Sequence, residues 1–383
     1  MNNILIVGCY HSMNSGVMAM AEAIVQKYPD RKIFIMSSND YWTQDKERYS
    51  IYSNVELVET EWLSGGKYSL IYKIIMSLFF GSRFKVLNTV LKQVNTVIDI
   101  SGDSISSDYG TKSLFLSLLP NFLVDKKRVD FIYAPQTLGP FKTFAQRKLA
   151  SFAFNKDVTI YLREGYSSQF LNEINVINYS LSSDLAFMLA SREVDHEIIN
   201  KVDKNTIALG VSSLVKKFGA TNYTSIFQNI INVCLNRGFK VLLINHVSTK
   251  QGNDIEVARL VKTNFFADNE NVMFVDRNFR ASEWKYIISK TKAIVTARMH
   301  PAVHALSQGI PALNLSYNHK SLGVVKEAFY PYGQIVDIKS SDLIDVVEKF
   351  IDDLNKFEQE GFKEKIEINA RKVLPFLERI NSL

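Results

Sequence analysis

Residues 292–320, KAIVTARMHPAVHALSQGIPALNLSYNHK, contain a complete folding unit. An apolar, β-branched run at 292–298 leads into a helical pattern, and a second apolar run follows at 311–317. Strand, crossover helix and strand in this order form a parallel pair, because parallel neighbours cannot be joined by a tight turn. The same alternation extends towards the N-terminus through TIALGVS (206–212), KVLLINH (240–246) and NVMFVD (271–276). Before these, Val- and Ile-rich runs recur at 4–9, 32–37, 95–100, 129–134 and 158–162. The pattern predicts an α/β protein with mostly parallel, wound (Rossmann-like) sheets.

A chain of 383 residues exceeds one ordinary core, so two domains are expected. The apolar–helical alternation lapses in a polar stretch after Asp184-Leu185-Ala186-Phe187-Met188. We therefore expect an N-terminal α/β domain over 1–190, a linker over 191–205 and a C-terminal α/β domain over 206–340. The tail, 341–383, carries Leu343, Val346, Val347, Phe350, Ile351 and Leu354 at helical spacing and reads as helices packing back on the body.

Composition narrows the partners. With 46% hydrophobic and 22% charged residues the chain has ample material for packing, which argues against disorder. The charge balance is 45 − 39 = +6 with no long basic block, so nucleic acid is not an expected partner. Cys9 and Cys234 sit in apolar runs and read as core residues, not as a disulfide or a metal site. No secretory signal pattern opens the sequence, so a reducing, cytoplasmic location is expected. The most apolar run, 68–80, is too short to span a bilayer and contains Lys73. Buried-helix packing is favoured for it over a peripheral contact at the inner face of the cell membrane, where Lys67, Arg83 and Lys85 flank it.

In wound sheets, ligands gather beyond the carboxyl ends of strands. Arg298 and His300 stand there, between a buried strand and a helix start, where a guanidinium fork and a helix N-terminus suit a phosphate or carboxylate and an imidazole can move a proton beside it. The competing reading is a structural ion pair and a capping histidine. His304, one turn on, reads as core, since no partner at ligand spacing accompanies it. His319 and Lys320 follow the next strand and are further anion contacts, unless Lys320 is a solvated surface residue.

In the first half, 8–16 (GCYHSMNSG) reads as strand, loop and helix start, with Asn14 as a substrate contact. It lacks GxGxxG and GxxxxGK[ST], so neither dinucleotide nor P-loop binding is supported. Asp103, after a strand, could meet a sugar hydroxyl or make an Asx-turn. Gln136 lies in a Pro-braced loop and is read as a ligand hydrogen-bonder, while Arg163 either binds substrate or pairs with Glu164 or another acid. Asp184 stands near the domain boundary. No metal cage is read from the sequence.

Together these segments resemble the polysaccharide pyruvyl transferase family, through Gly-x-x-x-x-x-Asn-x-Gly, the Gly-Asp loop, PQTLGPF, YLRE followed by Ser167, DLAF, and ARMHPAVHALSQGIPALNLSYNHK. The resemblance covers most of 4–328. It implies a fold similar to the GT-B glycosyltransferases, with phosphoenolpyruvate as donor substrate, no further cofactor, and a sugar or lipid-linked glycan as acceptor, giving a pyruvate ketal. By position in the family motifs, Arg163, Arg298, His300 and Lys320 look like donor-site residues. His300 is the expected acid/base, and Asp103 or Asp184 the base towards the acceptor. Val17-Met18 depart from the acidic pair many relatives carry, so no acceptor role is assigned there. A nucleotide-sugar glycosyltransferase and a non-catalytic scaffold of a glycan-assembly complex are the alternatives. The sequence leaves the oligomeric state, acceptor sugar and linkage open. Arg298→Ala is expected to abolish phosphate release while leaving the thermal midpoint within a few degrees; a large loss of stability instead would support the structural ion pair.

Overall fold

Apolar runs of four or five residues between helical segments form strands because burial on both faces of a sheet suits Val, Ile and Leu. The computed structural model describes residues 2–60, 85–155, 157–217, 223–250, 252–316 and 321–383. The run 68–80 therefore lies outside the described residues, and of the apolar helix expected around it only Lys85–Leu91 is described, as helix.

The chain divides into two units, one made of Met1–Ser12, Met20–Leu185 and Lys372–Leu383, the other of Met13–Ala19 and Ala186–Arg371. In the first, β1 (Ile4–Val7), β2 (Ile33–Ser37), β3 (Val55–Glu59), β4 (Thr96–Asp99), β5 (Asp130–Gln136), β6 (Val158–Leu162) and β7 (Ser180–Leu181) form a sheet in the order β3-β2-β1-β4-β5-β6-β7. Every pairing in it is parallel.

The second unit contains β8 (Thr206–Gly210), β9 (Lys240–Ile244), a short antiparallel pair β10 (Ser248–Thr249) and β11 (Gly252–Asn253), then β12 (Val272–Phe274), β13 (Ala293–Thr296), β14 (Ala312–Ser316) and β15 (Gly333–Asp337). Its six-stranded parallel sheet runs β12-β9-β8-β13-β14-β15. Each sheet starts in its middle, winds to one edge, then returns to wind to the other. The order reverses between β1 and β4 in the first unit and between β8 and β13 in the second, the points where such folds bind ligands.

The pleat explains the core of the second unit. Ile207, Leu209, Val241, Leu243, Val295 and Leu313 join one apolar cluster, whereas the intervening Ala208, Leu242, Ile294 and Ala312 join another on the opposite face. Helices Tyr223–Asn236, Asp254–Phe265 and Leu343–Asp352 contribute buried residues to the first cluster, and helices Ala281–Ser289 and Met299–Leu306 to the second.

Besides the short pair β10 and β11, three strands were not expected from the sequence. β3, β7 and β15 all lie at sheet edges, where one flank lacks a neighbour, and each has exposed or half-buried positions that break the continuous apolar run. The expected linker, 191–205, is instead part of the second unit. Ile199 is fully buried, Val194, Ile198 and Val202 pack in the same cluster, and Arg192 N donates to Ser282 O (3.0 Å). Four widely spaced apolar anchors suffice to hold a segment that reads as polar.

The tail forms helices Leu343–Asp352 and Gln359–Asn381. The last twelve residues belong to the first unit, where Tyr161 and Tyr28 hydroxyls donate to Pro375 O (3.1 Å) and Leu377 O (3.3 Å) and Arg379 pairs with Asp130 (2.7 Å). Among the described residues no helix is long and apolar enough to cross a membrane.

Candidate functional site

At the reversal point of the second sheet the strand ends are drawn close. Gly210, which ends β8, leaves no room for a side chain, since a Cβ there would lie 2.2 Å from Thr296 Oγ1. Thr296, at the end of β13, uses that hydroxyl to accept from Arg298 N (3.0 Å) and donate to Arg298 O (3.1 Å). Asn314 on β14 donates to Thr296 O (3.0 Å) and Arg298 O (3.2 Å). Arg298, in extended conformation, is thereby fixed as the residue that opens helix Met299–Leu306.

The Arg298 guanidinium forks onto one carboxylate. Nε donates to Asp254 Oδ2 (3.0 Å) and Nη2 to Asp254 Oδ1 (2.7 Å). Asp254 is fully buried and also accepts from Ser213 N (2.9 Å), Ser213 Oγ (3.0 Å) and Val247 N (3.0 Å). Five donors converge on this carboxylate, and it in turn orients the guanidinium. The ion-pair reading is thus realised, yet 11% of the Arg298 side chain remains accessible.

His246, which ends the KVLLINH run, packs against the segment that starts the first helix. Ser15 N donates to His246 O (3.0 Å), Ser248 N to Met13 O (3.0 Å), and Asn14 bridges Val247. The His246 ring stacks on His300 at 6.0 Å between centroids and 14° between planes, and lies 6.1 Å from His304. Gly16 completes the contact, because a Cβ on it would stand 2.3 Å from His300 Nδ1. The imidazole therefore presses on bare backbone at the N-terminus of helix Ser15–Lys27, the positive end of its dipole.

Beneath this surface His304 is fully buried, and burial together with the charges of Lys285 and His300 pushes its pKa well below the ordinary histidine value. Lys285 is also buried, its ammonium 3.4 and 3.3 Å from the carbonyls of Ala186 and Phe187, and burial lowers it to about 7. Among the described residues no three His, Cys, Asp or Glu side chains converge to hold a metal ion.

The other expected site residues have these surroundings. Asn14 spends its side-chain oxygen capping the first helix, accepting from Gly16 N (3.0 Å). Gln136, in the first unit, is fully buried between Gly102 N (2.9 Å) and Asp99 Oδ1 (3.1 Å). Arg163 donates to Asp184 Oδ2 (2.8 Å) and Thr137 Oγ1 (3.0 Å), with side-chain exposures of 1% and 0% across the pair. The pairing of Arg163 with an acid other than Glu164 is thus realised, with both side chains buried. Glu164 takes Ser167 instead, accepting from its N and Oγ, while Ser167 Oγ accepts from Leu138 N (3.0 Å). The motifs PQTLGPF, YLRE and DLAF thus knit into one network. Asp103 is half-buried and accepts from Tyr109 Oη (2.9 Å). His319 and Lys320 lie outside the described residues.

Sequence reading missed His246, Lys285 and Asp254. The first was visible as a polar residue closing a strand run, whereas Asp254 stands 44 residues from Arg298 and no local spacing joins the two.

Comparison with known proteins bears on this site. UDP-GlcNAc 2-epimerases of Methanocaldococcus jannaschii, solved with UDP-GlcNAc and UDP, and of Neisseria meningitidis, solved with UDP-GlcNAc, each superpose with a TM-score of 0.60 at 13% identity. Coverage is 94% of both chains in the first case and 99% of this chain and 100% of the other in the second, which shows a shared GT-B-like fold. The amylovoran biosynthesis protein AmsJ of Erwinia amylovora is 23% identical over 369 residues, 88% of this chain and 85% of that protein. A family model described as polysaccharide pyruvyl transferase matches residues 16–319, which include the Asn14–Gly16 cap's last residue, the Arg298 fork and the His246–His300 stack. This chain belongs to the polysaccharide pyruvyl transferase family.

Proposed function

We propose that the chain transfers the pyruvyl group of phosphoenolpyruvate to a sugar of a surface or capsular polysaccharide or its precursor, closing a pyruvate ketal. The observation that carries this reading, beside the family, is His300 pressed on the Gly16 backbone, two residues from the carboxylate-held Arg298 fork and at the start of its own helix. A small dianionic or trianionic donor needs cationic and dipolar contacts of this kind, and a proton carrier beside them.

The reaction balances with the groups assigned. A proton delivered to the methylene carbon turns it into a methyl group and leaves an oxocarbenium-like centre, which one sugar hydroxyl attacks. Phosphate departs, and the second hydroxyl closes the ketal. Of the two hydroxyl protons, one replaces the proton given to carbon and the other leaves with hydrogen phosphate. We assign proton delivery to His300, donor anion binding to Arg298 with Lys320 and His319, and the acceptor base to Asp103. Arg163 and Asp184 shape the loops around the first sheet. The reaction is placed in the cytoplasm, a reading supported by two buried free cysteines.

A phosphate-release assay with phosphoenolpyruvate across a panel of glycosides, followed by mass analysis, tests the reading. Expected is phosphate release that requires both substrates, a product carrying one pyruvyl ketal, and a loss of about 10²–10⁴-fold in turnover for His300→Gln with donor binding kept. Release of nucleotide from nucleotide sugars instead would establish a glycosyltransferase. Donor binding without turnover on any glycoside would point to the scaffold.

A further inference from the structure

Helix Phe144–Ala153 buries Gln146, Ala150 and Ala153 and turns its opposite side to solvent. On that side Phe144, Lys148 and Phe152 follow one another at i, i+4 and i+8, one above the next. Phe144 is 70% exposed and Phe152 71%, with the Lys148 ammonium 5.5 Å over the Phe144 ring. The strip continues onto helix Thr111–Leu123, where Phe152 meets Phe122 at 5.8 Å and Phe122 meets Phe115 at 6.5 Å.

Single exposed apolar residues need no explanation, but four aromatic rings in one line do. The segment that carries them is basic. Residues 107–157 carry eight Lys or Arg against four Asp, a surplus of 8 − 4 = +4 out of +6 for the whole chain. Two of those four acids are already paired, Asp108 with Lys142 and Asp130 with Arg379.

We infer that this face docks on an anionic lipid bilayer, with the rings in the headgroup layer and the lysines against lipid phosphates. Apolar rings beside snorkelling lysines are the chemistry that interfaces of this kind select. Self-association is disfavoured by the same residues, because a two-fold contact would bring Lys148 against its own copy inside the apolar strip. Four partly exposed rings also fall well short of the roughly 1,600 Å² that a stable protein interface buries.

The full chain should co-sediment with vesicles of phosphatidylcholine mixed with phosphatidylglycerol, weakly with phosphatidylcholine alone, and less as salt rises. Phe144→Glu/Phe152→Glu should lower binding by at least about tenfold, and Lys148→Glu by a smaller factor, with the thermal midpoint of each within a few degrees of wild type. Because no residue of the proposed active site is touched, phosphate release on a soluble glycoside should stay unchanged. Equal sedimentation of wild type and the double variant would overturn the inference. So would concentration-dependent self-association without vesicles that the double variant abolishes, which would assign the face to a second copy.

Discussion

Each unit contains an arginine at a strand end held by a buried aspartate, and the two pairs differ in geometry and exposure. Arg163 and Asp184 are dry, and Arg163 also bonds Thr137 and the Gln136 carbonyl, which ties loops together. Arg298 is held more firmly, forked on a carboxylate with three further donors, yet keeps part of its side chain accessible beside a helix start and a histidine. An arginine at a strand end is therefore not by itself a ligand contact. What distinguishes the second is that its side chain stays 11% accessible while its aspartate is buried.

Breaking each pair should separate the two roles. Arg298→Ala and Asp184→Ala should each lose about 3–5 kcal/mol of stability in urea unfolding, because each leaves a buried charge uncompensated. For Arg298→Ala this loss is larger than the sequence alone led one to expect, since Asp254 is fully buried. The apolar double replacement Arg163→Met/Asp184→Leu should regain stability and retain turnover. Arg298→Met/Asp254→Leu should stay about 1–3 kcal/mol short for each orphaned donor among Ser213 N and Val247 N, and should lack turnover. Turnover surviving in the second double variant would remove Arg298 from the mechanism.

A smaller perturbation tests the histidine without touching charge. Gly16→Ala forces His300 away from the helix start, and a displacement of that size should cost about 100-fold in turnover with the fold intact. Unchanged kinetics would show that the contact with Gly16 does not position the ring.

The weakest effects concern pH, and here the units have opposite signs. Lys285 keeps its proton to 10.5 unfolded but to about 7 folded, so the unfolded state binds more protons between them and stability rises with pH across that window. Lys285→Met should flatten the rise, by at least about 1 kcal/mol. Asp99, at the reversal point of the first sheet, is pushed by burial to about 6 from 3.8, so the folded state binds the extra proton and stability falls as pH rises from 3.8 to 6. Asp99→Asn should abolish that fall, at about 1 kcal/mol or more. Thermal midpoints measured across both windows check the pair of predictions.

The alternation of apolar runs and helices was enough to show two wound parallel sheets, because a strand buried on both faces must be apolar throughout. Edge strands such as β3 and β15 escaped it, being covered less. The motif residues were legible one by one, since strand ends and helix starts are local. Which of them face a ligand was not. Asp254 and Asp184 reach their arginines across 44 and 21 residues, and those partners decide whether a guanidinium is a tool or a brace. Pairing at that separation is set by how strands and helices stack, and a spacing pattern along the chain carries no record of it.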